Sequence, residues 1–247
     1  MLIYNPISHL SMVSDRSPTE DILLRTNLWR WLSVVFAPFV LTVIVLTAVF
    51  TVTGGESPIP RLSTGVYSLL SALVVVLLLL RLSPTVRAEV FPTQIPKRTE
   101  VGAVIAATLV TVLLFDPIGT FIADVFGSGG GTADAFDSSL GAAIFVVSSV
   151  AIAPIVEEYL FRGVALDALR SRYGVATAIV GSSVLFGGIH FLTGGISVLV
   201  SATLSGFLYA GMRVKFENLT GAIVAHHLNN LYWVLTMAGV LPNVVPT

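Results

Sequence analysis

Long apolar runs separated by short polar stretches recur along the chain, at residues 29–53, 63–82, 101–122, 140–165, 174–193, 195–213 and 219–239. Each approaches the ~20 residues that an α-helix needs to cross a hydrocarbon core. The pattern predicts an all-α, polytopic transmembrane helix bundle of about seven helices. In the third run Asp116-Pro117 interrupts the apolar sequence, and a proline there ends a helix early or kinks it. The organisation that follows is a polar tail over 1–27, scaffold helices over 28–122, a flexible outer loop over 123–139 and a core over 140–240. The tail carries Asp15, Arg16, Glu20, Asp21 and Arg25 and lacks the basic start and short apolar stretch of a cleaved signal. The loop holds Asp124, Asp134 and Asp137 among Gly127, Gly129, Gly130 and Gly131, with no basic residue, a composition that favours flexibility.

Composition excludes a soluble surface: the 247 residues are 55% hydrophobic and 11% charged, with a mean hydropathy of +0.91. Basic residues then orient the bundle, because cytosolic loops are enriched in Lys and Arg. A cytosolic N-terminus puts Arg16, Arg25, Arg30, Arg81, Arg87, Lys97, Arg98, Arg162, Arg170, Arg172, Arg213 and Lys215 on or near the inner side and leaves Arg61 alone outside. The expected setting is therefore the cell membrane, with membrane lipids as partners. Thirteen scattered basic residues and a net charge of -1 offer no basic face to nucleic acid. The absence of cysteine excludes disulfides, thiolate metal sites and a thiol nucleophile.

Polar side chains are nearly absent from the first three runs but enter the spans after residue 140. Glu157, Glu158 and Arg162 lie in the fourth, His190 in the fifth, and His226, His227, Asn229 and Asn230 in the seventh. A charged residue near mid-membrane costs at least ~2.5 to 3.5 kcal/mol, so such residues normally pair, line a cavity or do chemistry. On a helix, residues four apart share a face and neighbours point about 100° apart. Glu158 therefore faces Arg162 in the favourable acid-then-base order, and Glu157 is left without an intrahelical partner, free to act as a base toward water. A turn at Tyr173-Gly174 would end the fourth helix and place Glu157 and His190, equidistant from it in sequence, at one depth about 25 Å from the turn. On the seventh helix His226 shares a face with Asn230, and His227 reaches Asn230 only at i+3, so geometry leaves the choice of histidine open. Gly181, Gly187, Gly188, Gly206, Gly211 and Gly221 permit close helix approach in a bilayer. The plainer explanation is interhelical hydrogen bonding, averaging ~0.6 kcal/mol per contact. It suits Glu158 with Arg162, and Asn229, better than it suits an unpaired glutamate and two histidines on three helices. His9, in the tail, reads as a solvated side chain.

Glu157-Glu158-x-x-x-Arg162, then Phe186-x-x-x-His190, then His226-x-x-x-Asn230 on successive hydrophobic segments resembles the CPBP family of intramembrane proteases. That family, also called Abi, includes the eukaryotic CAAX prenyl endopeptidases and proteins linked to bacteriocin maturation and self-immunity. The resemblance covers roughly Leu140 to Leu235 and implies an endopeptidase acting on a membrane-associated peptide or lipidated peptide, CAAX-like or bacteriocin-like, from a site open to the cytosol. It implies that Glu157 and His190 activate a water, that His226 and Asn230 stabilise the oxyanion, and that Glu158, Arg162 and Phe186 support them. It also selects His226 over His227. Glu157, His190 and His226 could alternatively hold a divalent metal such as zinc with water as the fourth ligand. No His-Glu-x-x-His helix is present, and metal-bound and metal-free mechanisms fit these residues equally. Ser182, Ser183, Ser201 and Ser205 lack the surroundings of an activated nucleophile, since serines in membrane helices usually bond their own backbone. Two other classes compete: a non-catalytic immunity or scaffold protein, and a proton-coupled transporter, against which stands the lack of paired broken helices.

Overall fold

The computed structural model describes residues 27–54, 60–127 and 139–242. The polar tail, the Arg61 side chain and most of the glycine-rich loop, including Asp134 and Asp137, lie outside the described residues. Among those described the regular structure is entirely helical, as predicted. Helix α1 spans Leu28–Val52, α2 Pro60–Arg81, the short α3 Pro84–Val90 and α4 Arg98–Val125. From residue 139 a helical path runs to residue 216 with reversals at Gly174 (φ 81°) and Gly195 (φ 65°), giving α5 over 139–173, α6 over 175–194 and α7 over 196–216. Both reversals need a left-handed φ that glycine adopts without steric penalty. The first is the expected turn after Tyr173. Helix α8 spans Thr220–Met237.

Among the described residues five helical runs are long and apolar enough to cross a membrane, counting α5 and α6 together as one. Helix α8 is not among them, because His226, His227, Asn229 and Asn230 lower its apolarity. Large apolar side chains on the outer faces, such as Leu69, Leu73 and Leu80 on α2 and Ile105, Leu109 and Leu113 on α4, are exposed, which suits a lipid environment.

Asp116-Pro117 neither ends nor breaks α4. A π turn at Thr111–Phe115 immediately precedes it, and the helix resumes over Asp116–Val125 with the proline in its first turn. Helix α5 repeats the device, with a π turn at Val147–Ile152 before Ala153-Pro154. A proline offers no N–H to the preceding turn and its ring crowds the carbonyl four residues back; a widened turn relieves both. A further π turn, Tyr159–Ala165, follows Glu157 and Glu158 directly. Such turns frequently mark functional sites.

The principal core joins Val35 of α1, Val75 of α2, Val156, Leu160, Phe161 and Val164 of α5, Phe186 and Ile189 of α6 and Ala202 of α7. Helices α6 and α7 meet at Gly187, where a Cβ would strike Thr203 and come within 2.7 Å of the Leu199 carbonyl. Gly187→Ala is expected to force α6 and α7 apart, three residues from His190, and to lower the melting temperature by several degrees in a thermal-shift assay, an overpacking penalty of about 1–3 kcal/mol.

The start of α8 is tied down by buried polar contacts. Glu100 of α4, 1% exposed, accepts from the Gly221 backbone N–H at 2.9 Å and from Asn218 Nδ2 at 3.4 Å. The Leu219 N–H donates to the Pro92 carbonyl at 2.8 Å. Glu100 thus meets a first-turn N–H that the helix itself cannot satisfy, and fixes the height at which α8 carries His226.

Candidate active site

Helix α5 presents Glu157 and Glu158 on adjacent faces, both buried, at 3% and 0% exposure. Glu158 makes the expected i,i+4 pair: Arg162 Nη1 donates to Glu158 Oε1 at 3.0 Å. Arg162 is itself fully buried and donates through Nη2 to the Gly206 carbonyl of α7 at 3.3 Å. Its Cζ lies 4.2 Å from the Phe186 ring centroid and 5.3 Å from that of Tyr209, so aromatic faces take the place of solvent around the cation.

Glu158 has a second partner that intrahelical spacing could not show. His226 of α8 donates Nδ1–H to Glu158 Oε1 at 3.0 Å. The donor must be the imidazole, since a carboxylate paired with a guanidinium only accepts. His226 Nε2 is thereby aimed at Glu157, 3.6 Å from Oε2. His190 of α6 is set in the same way: its Nδ1–H donates to the Phe186 carbonyl at 2.8 Å, and its Nε2 stands 3.9 Å from Glu157 Oε2. Two imidazoles from separate helices thus turn Nε2 toward one carboxylate. His227 turns elsewhere, donating Nδ1–H to Ile223 O in its own helix at 2.7 Å.

Phe186 locks the two histidines. Its ring meets His190 edge-on at 4.6 Å and His226 at 5.5 Å, with Phe161 packed at 5.3 Å. Asn230 shares the His226 face, but its Nδ2 donates to the Ser149 carbonyl in the α5 π turn at 2.9 Å, so one amide hydrogen is engaged away from Glu157.

Two aromatic residues join the site without having been anticipated. Tyr209 of α7, 1% exposed, stacks on His226 with centroids 5.2 Å apart and planes 21° apart. Tyr67 of α2 packs against the core cluster that contains Val156, the residue before Glu157. Tyr67, Ser68 and Ser71 form a polar stripe at helical spacing in an otherwise aliphatic run, a signal that could have drawn attention to Tyr67. Nothing local marks Tyr209.

The functional positions on α5, α6 and α8 coincide with one stretch of the chain. Residues 139–232 match the family model described as Type II CAAX prenyl endopeptidase Rce1-like. That stretch of the chain is similar to this family. No curated protein and no solved structure gives a match. The Rce1-like region takes in Glu157, Glu158, Arg162, Phe186, His190, His226 and Asn230, and leaves out α1, α2 and α4 with Tyr67 and Glu100. It supports a CAAX-type intramembrane endopeptidase in general. Together with the apolar helices it points to a multi-pass membrane protein.

Among the described residues no three His, Cys, Asp or Glu side chains are arranged to hold a metal ion. The candidate zinc set of Glu157, His190 and His226 has Nε2 to Oε2 separations of 3.6 and 3.9 Å, a few tenths of an ångström wider than the roughly 3.4 Å between two ligands about 2.0–2.1 Å from one tetrahedral zinc. A metal held there would draw the three side chains slightly together.

Proposed function

We propose that this chain is an intramembrane endopeptidase that hydrolyses a peptide bond of a membrane-held, CAAX-type prenylated substrate with a water activated by Glu157 and His190. One observation carries the reading: a buried carboxylate is faced by two Nε2 atoms, each belonging to a ring whose Nδ1–H is already committed. Separations of 3.6 and 3.9 Å exceed a direct hydrogen bond and suit groups that share a water. Acceptors on both sides of such a water draw on both of its O–H bonds.

In the reaction, one water O–H bond breaks and its proton passes to Glu157 while His190 Nε2 accepts the other O–H as a hydrogen bond. The water oxygen bonds to the peptide carbonyl carbon, whose π electrons move to oxygen. Collapse of the tetrahedral intermediate breaks the C–N bond, and the leaving amine takes the proton that Glu157 received. Stabilising the oxyanion is the task of His226 and of the second amide hydrogen of Asn230. His226 can donate through Nε2 only as the imidazolium, because Nδ1–H stays on Glu158, and the Glu158 carboxylate balances that charge as the acid of a triad does. We place the N-terminus and the opening of the site on the cytosolic side, on the strength of the basic residues, which lie on or near that side except for Arg61.

The test is cleavage of an internally quenched, farnesylated CAAX peptide by the purified protein in liposomes, with metal analysis and with o-phenanthroline. Cleavage should persist in the chelator, without stoichiometric zinc. Loss of activity restored by zinc would replace the water–glutamate step by a metal-dependent one, and transport of the peptide without cleavage would replace the enzyme altogether.

A further inference from the structure

Residues 91–100 join α3 to the first turn of α4 and lie outside the Rce1-like region, yet they touch both helices that carry Glu158 and His226. At one end the Phe91 ring stacks on Tyr159, the residue after Glu158, with centroids 4.7 Å apart and planes 12° apart. Gly163 permits that approach, since a Cβ there would come within 2.8 Å of the Phe91 ring and 2.9 Å of the Val90 carbonyl. At the other end the segment grips the start of α8. The Pro92 carbonyl accepts the Leu219 N–H, the Gln94 N–H donates to Thr220 Oγ1 at 3.1 Å, and Gln94 Nε2 donates to the Phe216 carbonyl at 3.3 Å. Glu100 completes the grip with both of its oxygens, Oε1 on the Gly221 N–H at 2.9 Å and Oε2 on Asn218 Nδ2 at 3.4 Å.

Glu100 is the one charged group in this grip, and its place is exact. It is 1% exposed and sits at a helix N-terminus, where a negative charge is favoured. A Cβ on Gly221 would come within 2.8 Å of Glu100 Oε1, so the glycine admits the carboxylate to the backbone. Gly221 precedes His226 by five residues, about 7.5 Å along the helix axis, and a rigid helix carries a shift at the one to the other. Between apolar helices in lipid there is no hydrophobic force to fix their relative height, so polar contacts of this kind set it. The bond from His226 Nδ1 to Glu158 Oε1, 3.0 Å long, joins α8 to α5 and depends on that height.

We infer that Glu100 is a positioning residue for the proposed hydrolysis: through the Gly221 N–H it sets the height of α8, so that His226 meets Glu158 and turns Nε2 toward Glu157. Phe91 ties the same segment to α5, and the site is then assembled with an acid from outside the Rce1-like region. The inference rests on the proposed role of His226, and its test separates the two.

The full-length protein in liposomes is compared as wild type, Glu100→Met, Glu100→Gln and Gly221→Ala. Cleavage of the farnesylated CAAX peptide gives kcat and KM. Solid-state NMR of protein labelled with ¹⁵N-histidine, in which only four histidines contribute, follows the Nδ1–H proton of His226, assigned by its change in Glu158→Gln. Glu100→Met keeps the bulk and removes both acceptors. It should lower kcat roughly tenfold or more, since misplacing a reacting group by about 1 Å can cost 10²-fold, leave KM within about twofold, and move the His226 proton upfield while His190 on α6 is unchanged. Glu100→Gln keeps a carbonyl acceptor for the Gly221 N–H and should recover most of the loss and the wild-type signal. Gly221→Ala displaces the same contact from the other side and should reproduce the Glu100→Met result, which decides the matter if Glu100→Met does not fold. Wild-type kcat or an unmoved His226 signal in the variants that break the contact overturns the inference, and so does an equal deficit in Glu100→Gln. If the wild type does not cleave the peptide, the protease reading fails, and the His226 signal alone decides whether Glu100 positions α8.

Discussion

Glu157→Gln should lower peptide cleavage by roughly 10²- to 10⁴-fold, the usual contribution of a positioned general base, with no loss of folded protein. Glutamine keeps the volume and one carbonyl acceptor of the buried side chain, so the neighbouring core of Val156, Leu160 and Phe186 has no reason to rearrange. What disappears is the group that takes a proton from water. His190→Ala should fall in the same range without matching it, because Glu157 would still accept the proton while the second acceptor at 3.9 Å is gone. Rates measured with the quenched peptide, alongside monodisperse elution and an unchanged melting curve, check both. Full activity in either variant would remove that residue from the mechanism. Preserved biological activity of Glu157→Gln would support the non-catalytic reading of the same motif.

Arg162→Ala should have the largest effect on stability. Breaking a buried ion pair from one side costs about 3–5 kcal/mol, because the surviving charge is left without compensation. Glu158, fully buried, would be that charge. The alanine also removes a donor from the Gly206 carbonyl and the cation between Phe186 and Tyr209. We expect a melting temperature lower by roughly 10 °C or more. The double variant Glu158→Gln/Arg162→Met should recover much of that loss, since neither charge remains, yet stay poorly active, since His226 Nδ1 would no longer meet a carboxylate. A double variant with restored activity would show that Glu158 serves only to neutralise Arg162. Thermal melts and cleavage rates measured on the same samples separate the two roles.

The fold class was legible because a bilayer demands long apolar helices, and the boundaries of the runs follow from where that demand stops. Gly174 was legible as a turn because a helix commonly ends on a left-handed residue that glycine tolerates best. Once that turn is placed, antiparallel counting brings Glu157 and His190 to one height, and the structure sets them 3.9 Å apart. The bond between Glu158 and His226 was not legible, because it joins residues 68 apart in sequence on helices whose rotation no local spacing fixes. The same holds for Asn230 on the Ser149 carbonyl and for Glu100 beneath α8. The π turns were hidden for another reason. Asp116-Pro117 announces a disturbance in the helix, but a break, a kink and a widened turn all satisfy a missing N–H, and only packing against α7 chooses among them. Tyr67 was passed over because α2 looked uniformly apolar, although Ser68 and Ser71 beside it already marked a buried polar face.

The central claim is that water, held by Glu157 and His190, attacks the peptide carbonyl directly. A single turnover of the farnesylated CAAX peptide in H₂¹⁸O, followed by mass spectrometry of the product and of the enzyme fragment bearing Glu157, tests it most directly. Direct attack predicts one ¹⁸O in the new carboxyl terminus of the product and none in Glu157. Label in the Glu157 carboxyl would reveal a covalent acyl intermediate on that residue and contradict the account.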